Sequence, residues 1–87
     1  MIFILLAADI DSFCRANPTS LKPHPSNCAQ YYNCSDVNSR YGRYLEECTY
    51  PDLFSSVTMR CQKFQTVSCD AKHEPRAPCM FINYFVE

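Results

Sequence analysis

The chain has 87 residues, with Lys+Arg 8, Asp+Glu 9 and a formal charge of −1. That balance excludes a basic nucleic-acid face and a polybasic membrane anchor. A single glycine, Gly42, excludes Gly-rich phosphate loops, and seven cysteines, about 8% of the residues, mark a disulfide scaffold.

The first element is the apolar run Ile2–Ala8, far shorter than the ~20 residues that span a bilayer. It resembles the apolar core of a signal peptide ending in small residues, although no positive segment precedes it. Residues 1–12 are therefore expected to be a truncated leader or an N-terminal arm. Asn17-Pro18-Thr-Ser and Lys22-Pro23-His-Pro25 read as loops, because proline cannot donate to a strand ladder. Ala29–Ser35 and Tyr41–Cys48 read as aromatic-rich strands joined by a turn over Ser35–Gly42, where Asn38 and Gly42 tolerate positive φ. Leu53-Phe54 and Thr58–Gln62 predict a second hairpin turning at Ser55-Ser56. Apolar burial in so small a chain barely offsets chain entropy, so cross-links are needed. Disulfides persist in oxidising compartments, which makes a secreted, extracellular protein the expectation.

The cysteines are Cys14, Cys28, Cys34, Cys48, Cys61, Cys69 and Cys79, separated by 13, 5, 13, 12, 7 and 9 residues. Structural zinc sites bring ligands as close C-x(2–4)-C pairs, and none occurs here. His24 and His73 stand apart from any such pair, so no metal is expected, and no other cofactor. The absence of C-x-x-C also removes dithiol redox chemistry. Six cysteines allow 15 pairings, and spacing alone selects none.

The residues around the ladder narrow the choice. His24-Pro-Ser-Asn-Cys28-Ala-Gln-Tyr-Tyr-Asn-Cys34 places an aromatic pair before the third cysteine, and Val67-Ser-Cys69 closes on the sixth. With the spacing C-x(13)-C-x(5)-C-x(13)-C-x(12)-C-x(7)-C, this resembles the peritrophin-A type chitin-binding domain. The same family is called the type 2 chitin-binding domain or family 14 carbohydrate-binding module. The resemblance covers Phe13 to Cys69. Cys48-Thr-Tyr-Pro-Asp-Leu-Phe54 keeps the family spacing to its phenylalanine but lacks the family glycine, leaving Pro51-Asp52 to shape the turn. The run Glu74-Pro-Arg-Ala-Pro-Cys79 is similar to tails of molluscan shell-matrix members.

The resemblance implies a small disulfide-rich all-β fold with little helix, a three-stranded antiparallel sheet plus a β-hairpin. It assigns residues 13–69 to the chitin-binding unit and 70–87 to a C-terminal tail, expected to be truncated. It implies the pairs Cys14–Cys34, Cys28–Cys69 and Cys48–Cys61. Cys79 is left over, for an intermolecular bond or a partner in a longer chain. The implied function is non-catalytic binding of chitin by a secreted matrix module, with chitin or chito-oligosaccharides as partner and neither nucleic acid nor membrane.

Chitin presents apolar C–H faces and polar edges, which suits flat aromatics with a wet hydroxyl. Side chains alternate along a strand, so Tyr32, in step with Cys28 and Cys34, points inward, and Tyr31 outward. Tyr44 likewise leans inward with Cys48 and leaves Tyr41 outward. Tyr50 follows Cys48 at the start of the hairpin that the family uses for sugar, and Phe54 is a core residue. The candidate sugar contacts are Tyr31, Tyr41, Tyr50 and Asn33, with Asp36 as a further polar group. Asn33 and Asp36 also suit turn and edge roles. Asn33-Cys34-Ser35 fits the glycosylation sequon, although a bridged cysteine at its centre disfavours occupancy. Glu46 and Glu47, on opposite strand faces, read as solvated charges rather than paired catalytic carboxyls. The competing reading is a small secreted effector, antimicrobial or protease-inhibiting, against which the slight negative charge speaks.

Overall fold

The computed structural model describes residues 6–82, with side chains from Ile10 onward. The stretch 1–5 of the expected leader and the end of the tail, 83–87, lie outside the described residues. The architecture is one helix, a three-stranded antiparallel sheet and a two-stranded antiparallel sheet, cross-linked by three disulfides.

Helix α1 runs over Leu6–Ala16 and occupies most of the segment read as a leader or arm. Ile10, Phe13 and Cys14 fall three and four residues apart and so share one helix face. Ile10 and Cys14 are buried there against Cys34 and Tyr44, with Phe13 and Tyr32 packed at the margin. Arg15 sits in the last turn, favourable beside the negative helix end. Asn17 closes it by donating both its backbone N–H and its side-chain N–H to the Phe13 carbonyl, each at 2.9 Å. Pro18 then prevents continuation. Asp11 is tied to Arg43 at 3.0 Å.

The larger sheet has the order β1 (Leu21–Pro23), β2 (Gln30–Asn33), β3 (Leu45–Glu47). The loop expected at Lys22-Pro23 is thus a short strand. Proline is tolerated because β1 is an edge and Pro23 its final residue. The strand expected at Tyr41–Cys48 is also shorter, beginning only at Leu45. Tyr44 takes a left-handed conformation, φ 65°, which breaks the extended run, and Gly42 is at φ 143°. Tyr44 is nevertheless buried, and its carbonyl accepts the Asn33 N–H at 2.7 Å. Its inward position follows from that turn rather than from strand alternation.

The smaller sheet pairs β4 (Leu53–Ser55) with β5 (Arg60–Gln62). Its turn spans the four residues 56–59, later in the chain than the turn expected at Ser55-Ser56, with Met59 at φ 60°. The Ser55 hydroxyl accepts the N–H groups of Val57 and Thr58, at 3.1 and 3.2 Å. A backbone bond from the Phe54 N–H of β4 to the Cys28 carbonyl, at 2.9 Å, joins the sheets, while the Cys48 N–H to the Ala29 carbonyl, at 2.8 Å, continues the β2–β3 ladder.

Cys14 bonds to Cys34, Cys28 to Cys69 and Cys48 to Cys61, while Cys79 carries a free, exposed thiol. The second core gathers Cys28, Ala29, Leu53, Cys69 and Phe81, with Val67 against it. Leu53 and Phe81 are almost completely enclosed, each worth ~1.5–3 kcal/mol of apolar burial. Phe81 comes from beyond the six-cysteine ladder. Its segment is held by a parallel bridge between Asn27 and His73, in which Cys28 N–H donates to the His73 carbonyl at 2.8 Å. A second hold is Glu47, whose Oε2 accepts the Ile82 N–H at 2.8 Å. Glu47 is buried, which corrects its reading as a solvated charge.

Candidate functional site

Tyr31 lies in β2 directly opposite Glu46 of β3, so both side chains occupy the same sheet face. The Tyr31 ring stacks on Phe54 of β4 at 4.4 Å between centroids and 12° between planes. Phe54 is buried, so the stack fixes the tyrosine from beneath while leaving it half-buried. Burial, then the charge of Glu46, then Tyr41 push the Tyr31 phenol above its ordinary range, which keeps it a hydrogen-bond donor. Tyr41, half-buried, has the Arg40 guanidinium over its ring at 5.6 Å. Its position is set locally by Ser39, whose hydroxyl accepts the Tyr41 N–H at 3.2 Å and donates to the Leu45 carbonyl. Tyr31, Tyr41 and Glu46 therefore form one neighbourhood.

Asp36 joins it through Glu46. Burial, reinforced by a hydrogen bond from the Glu46 carboxyl to Asp36 and by the Asp36 charge, raises Glu46 to about 7. Glu46 is half-buried rather than solvated. Two carboxyls in direct contact leave no space for a sugar between them, unlike the ~5–5.5 Å gap of a retaining glycosidase.

Tyr50 belongs to a different concavity. It is 39% exposed, and its ring meets Phe81 edge-on at 5.5 Å and 82°. With Pro51, Phe64, Glu74, Pro75 and Arg76 it lines a pocket of about 150 Å³. Pro51 and Phe64 also border a second hollow with Asp52, Lys63 and Gln65. Tyr50, Pro51 and Phe64 thus make a continuous ring-bearing ridge with charged groups on either side. Glu74 and Arg76 lie 3.6 Å apart at its edge. None of Tyr31, Tyr41 and Asn33 borders either hollow.

Asn33 spends its side-chain oxygen on a turn, accepting the Ser35 N–H at 3.0 Å. Cys34, the centre of the sequon, is bridged to Cys14. Tyr32 faces the α1 side of the sheet and stacks on His24 at 5.5 Å.

Phe64 is the residue that sequence reasoning overlooked. A lone aromatic between Lys63 and Gln65-Thr66, in a polar run without strand alternation, has no inward neighbours to hide it, and it is 43% exposed. The Asp36–Glu46 contact was also hidden, since it depends on how the turn after Asn33 folds back.

A family model described as the chitin binding peritrophin-A domain matches residues 14–79, well over half of the chain. No curated protein and no solved structure matches it.

Proposed function

Because the chain belongs to the chitin-binding peritrophin-A family, a family of carbohydrate-binding modules, we propose that it holds chitin through Tyr31, Tyr41 and Tyr50. The family match carries the ligand. The half-exposed tyrosines and the exposed ridge at Tyr50 support the choice of rings. Each ring covers an apolar sugar face while its hydroxyl meets the polar edge. The Asn33 amide N–H group, on the side chain whose oxygen closes the turn, reads an acetamido carbonyl. Nothing in this role requires bond cleavage.

The setting follows from the chemistry. Three disulfides are consistent with an oxidising, extracellular environment, typical for peritrophin-A domains. The module serves a secreted matrix, in cuticle or shell, where it anchors protein to the polymer. One shallow site binds weakly, so retention on insoluble chitin depends on several copies or on attachment to a larger partner. The free Cys79 thiol supplies a point for such a link through an intermolecular disulfide.

Retention of the oxidised chain on chitin beads, with release by chito-oligosaccharide, tests the reading. Tyr50→Ala is expected to weaken retention roughly two- to ten-fold, given ~0.5–1.5 kcal/mol per well-placed aromatic contact. Tyr31→Ala and Tyr41→Ala should each act in the same direction. Undiminished retention in all three variants, or after reduction of the disulfides, would refute the folded tyrosine site.

A further inference from the structure

The face of the larger sheet opposite Tyr31 carries a second, chemically different hollow. It has a volume of about 330 Å³ and is lined by Ile10, Lys22, Pro23, His24, Tyr32 and Lys72, with Pro25 at its rim. That volume falls at the lower end of the ~300–1,000 Å³ usual for small-molecule sites, enough for one sugar ring. Lys22 stands opposite Tyr32 in the β1–β2 register, so the two project on one face. Lys22 is exposed at the rim, and its ammonium lies 4.9 Å from the Phe13 ring centroid, a cation–π contact that anchors the side chain.

His24 is built in more firmly than a surface histidine. Its Nδ1 accepts the N–H groups of Ser26 at 3.0 Å and Asn27 at 3.1 Å. Both bonds require an unprotonated Nδ1, so the ring hydrogen resides on Nε2, which has no protein acceptor among the described residues. Burial, and then the nearby Lys72 charge, lower the His24 pKa and keep the ring neutral. The hollow therefore offers two ammonium groups and one N–H donor against walls of proline, tyrosine and isoleucine. No carboxylate lines it, and neither lysine has an ion-pair partner among the described residues.

We infer that this hollow binds a sugar residue bearing a single oxyanion, a sulfate ester or a carboxylate, as found along acidic polysaccharides. The stacked His24 and Tyr32 rings and the prolines cover the apolar part of the sugar. Lys22 and Lys72 neutralise the anion, and the His24 Nε2–H gives it direction. The site lies on the Tyr32 face and the chitin reading uses the Tyr31 face, so the two ligands do not compete.

Titration of the ¹⁵N-labelled, oxidised full chain with glucose 6-sulfate, glucuronate and glucose, followed by amide NMR, tests the assignment. The two anions should shift the amides of Lys22, His24 and Lys72, and glucose should not. Tighter binding of the sulfate assigns a sulfated polymer, and tighter binding of glucuronate a uronic-acid polymer. Lys22→Gln with Lys72→Gln should weaken anion binding roughly ten-fold, while leaving amide positions outside the hollow and retention on chitin beads unchanged. Lys72→Arg, which keeps the charge, should retain binding. Equal shifts with glucose, no shift with either anion, or anion binding that survives the double substitution would each overturn the site.

Discussion

The two small cores of this domain are each organised around a disulfide, yet they are assembled differently. The core around Cys14–Cys34 is local: helix α1 supplies Ile10 and Cys14, and the residues near β2 and β3 supply Cys34 and Tyr44. The core around Cys28–Cys69 draws Ala29, Leu53 and Phe81 from widely separated segments. Its disulfide spans 41 residues, against 20 for Cys14–Cys34. Loop-closure entropy rises with the length closed, so the distant core depends more heavily on its covalent link. Where a thin core must be gathered from far along the chain, the cross-link performs work that apolar area alone cannot.

The largest expected effect follows directly. Replacing Cys28 and Cys69 together by alanine should cost about 4 kcal/mol in the chain-entropy account, measurable as a fall in the denaturant midpoint. Phe81→Ala comes next, at about 3 kcal/mol, because it empties an enclosed position in the same core. Ile10→Ala should cost less, about 2 kcal/mol, since the local core is bordered by half-buried rings able to close in. If the Ile10 variant proves the less stable of the two, the contrast between the cores is wrong.

The smallest effect concerns pH. The Glu46 carboxyl, raised from 4.5 to about 7, binds its proton more tightly when folded than when unfolded. Its stabilising contribution is complete below pH ~4.5 and is lost as pH rises through about 7. The melting temperature should therefore drop between pH 5 and pH 8, and Glu46→Gln should flatten that drop. Because the pair is only partly buried and solvent screens it, the difference should be on the order of a degree or two.

Much of this arrangement was legible in the residues. The Tyr31-Tyr32-Asn33-Cys34 run and the Val67-Ser-Cys69 close pointed to the family, and alternation at Tyr31 and Tyr32 separated the two faces of β2. Alternation failed at Tyr44, where a left-handed residue ended the strand while still turning a ring inward. Helix α1 was obscured because the apolar run before Asp9 has the composition of a leader. Its 3–4 residue spacing emerges only from Ile10, Phe13 and Cys14 taken together. Phe81 was hidden by distance from the ladder, and nothing local announces that an aromatic after Cys79 fills the space beside Leu53. Pro23 misled for a more general reason: its missing N–H excludes central strands but not the last residue of an edge.

The overlap of two of the disulfides also governs how the domain tolerates wear. Cys14–Cys34 and Cys28–Cys69 together span every peptide bond from Cys14 to Cys69. A protease that nicks the exposed Arg60 or Lys63 therefore severs the backbone without releasing a fragment. Material cut once in this interval stays a single molecule until its disulfides are reduced.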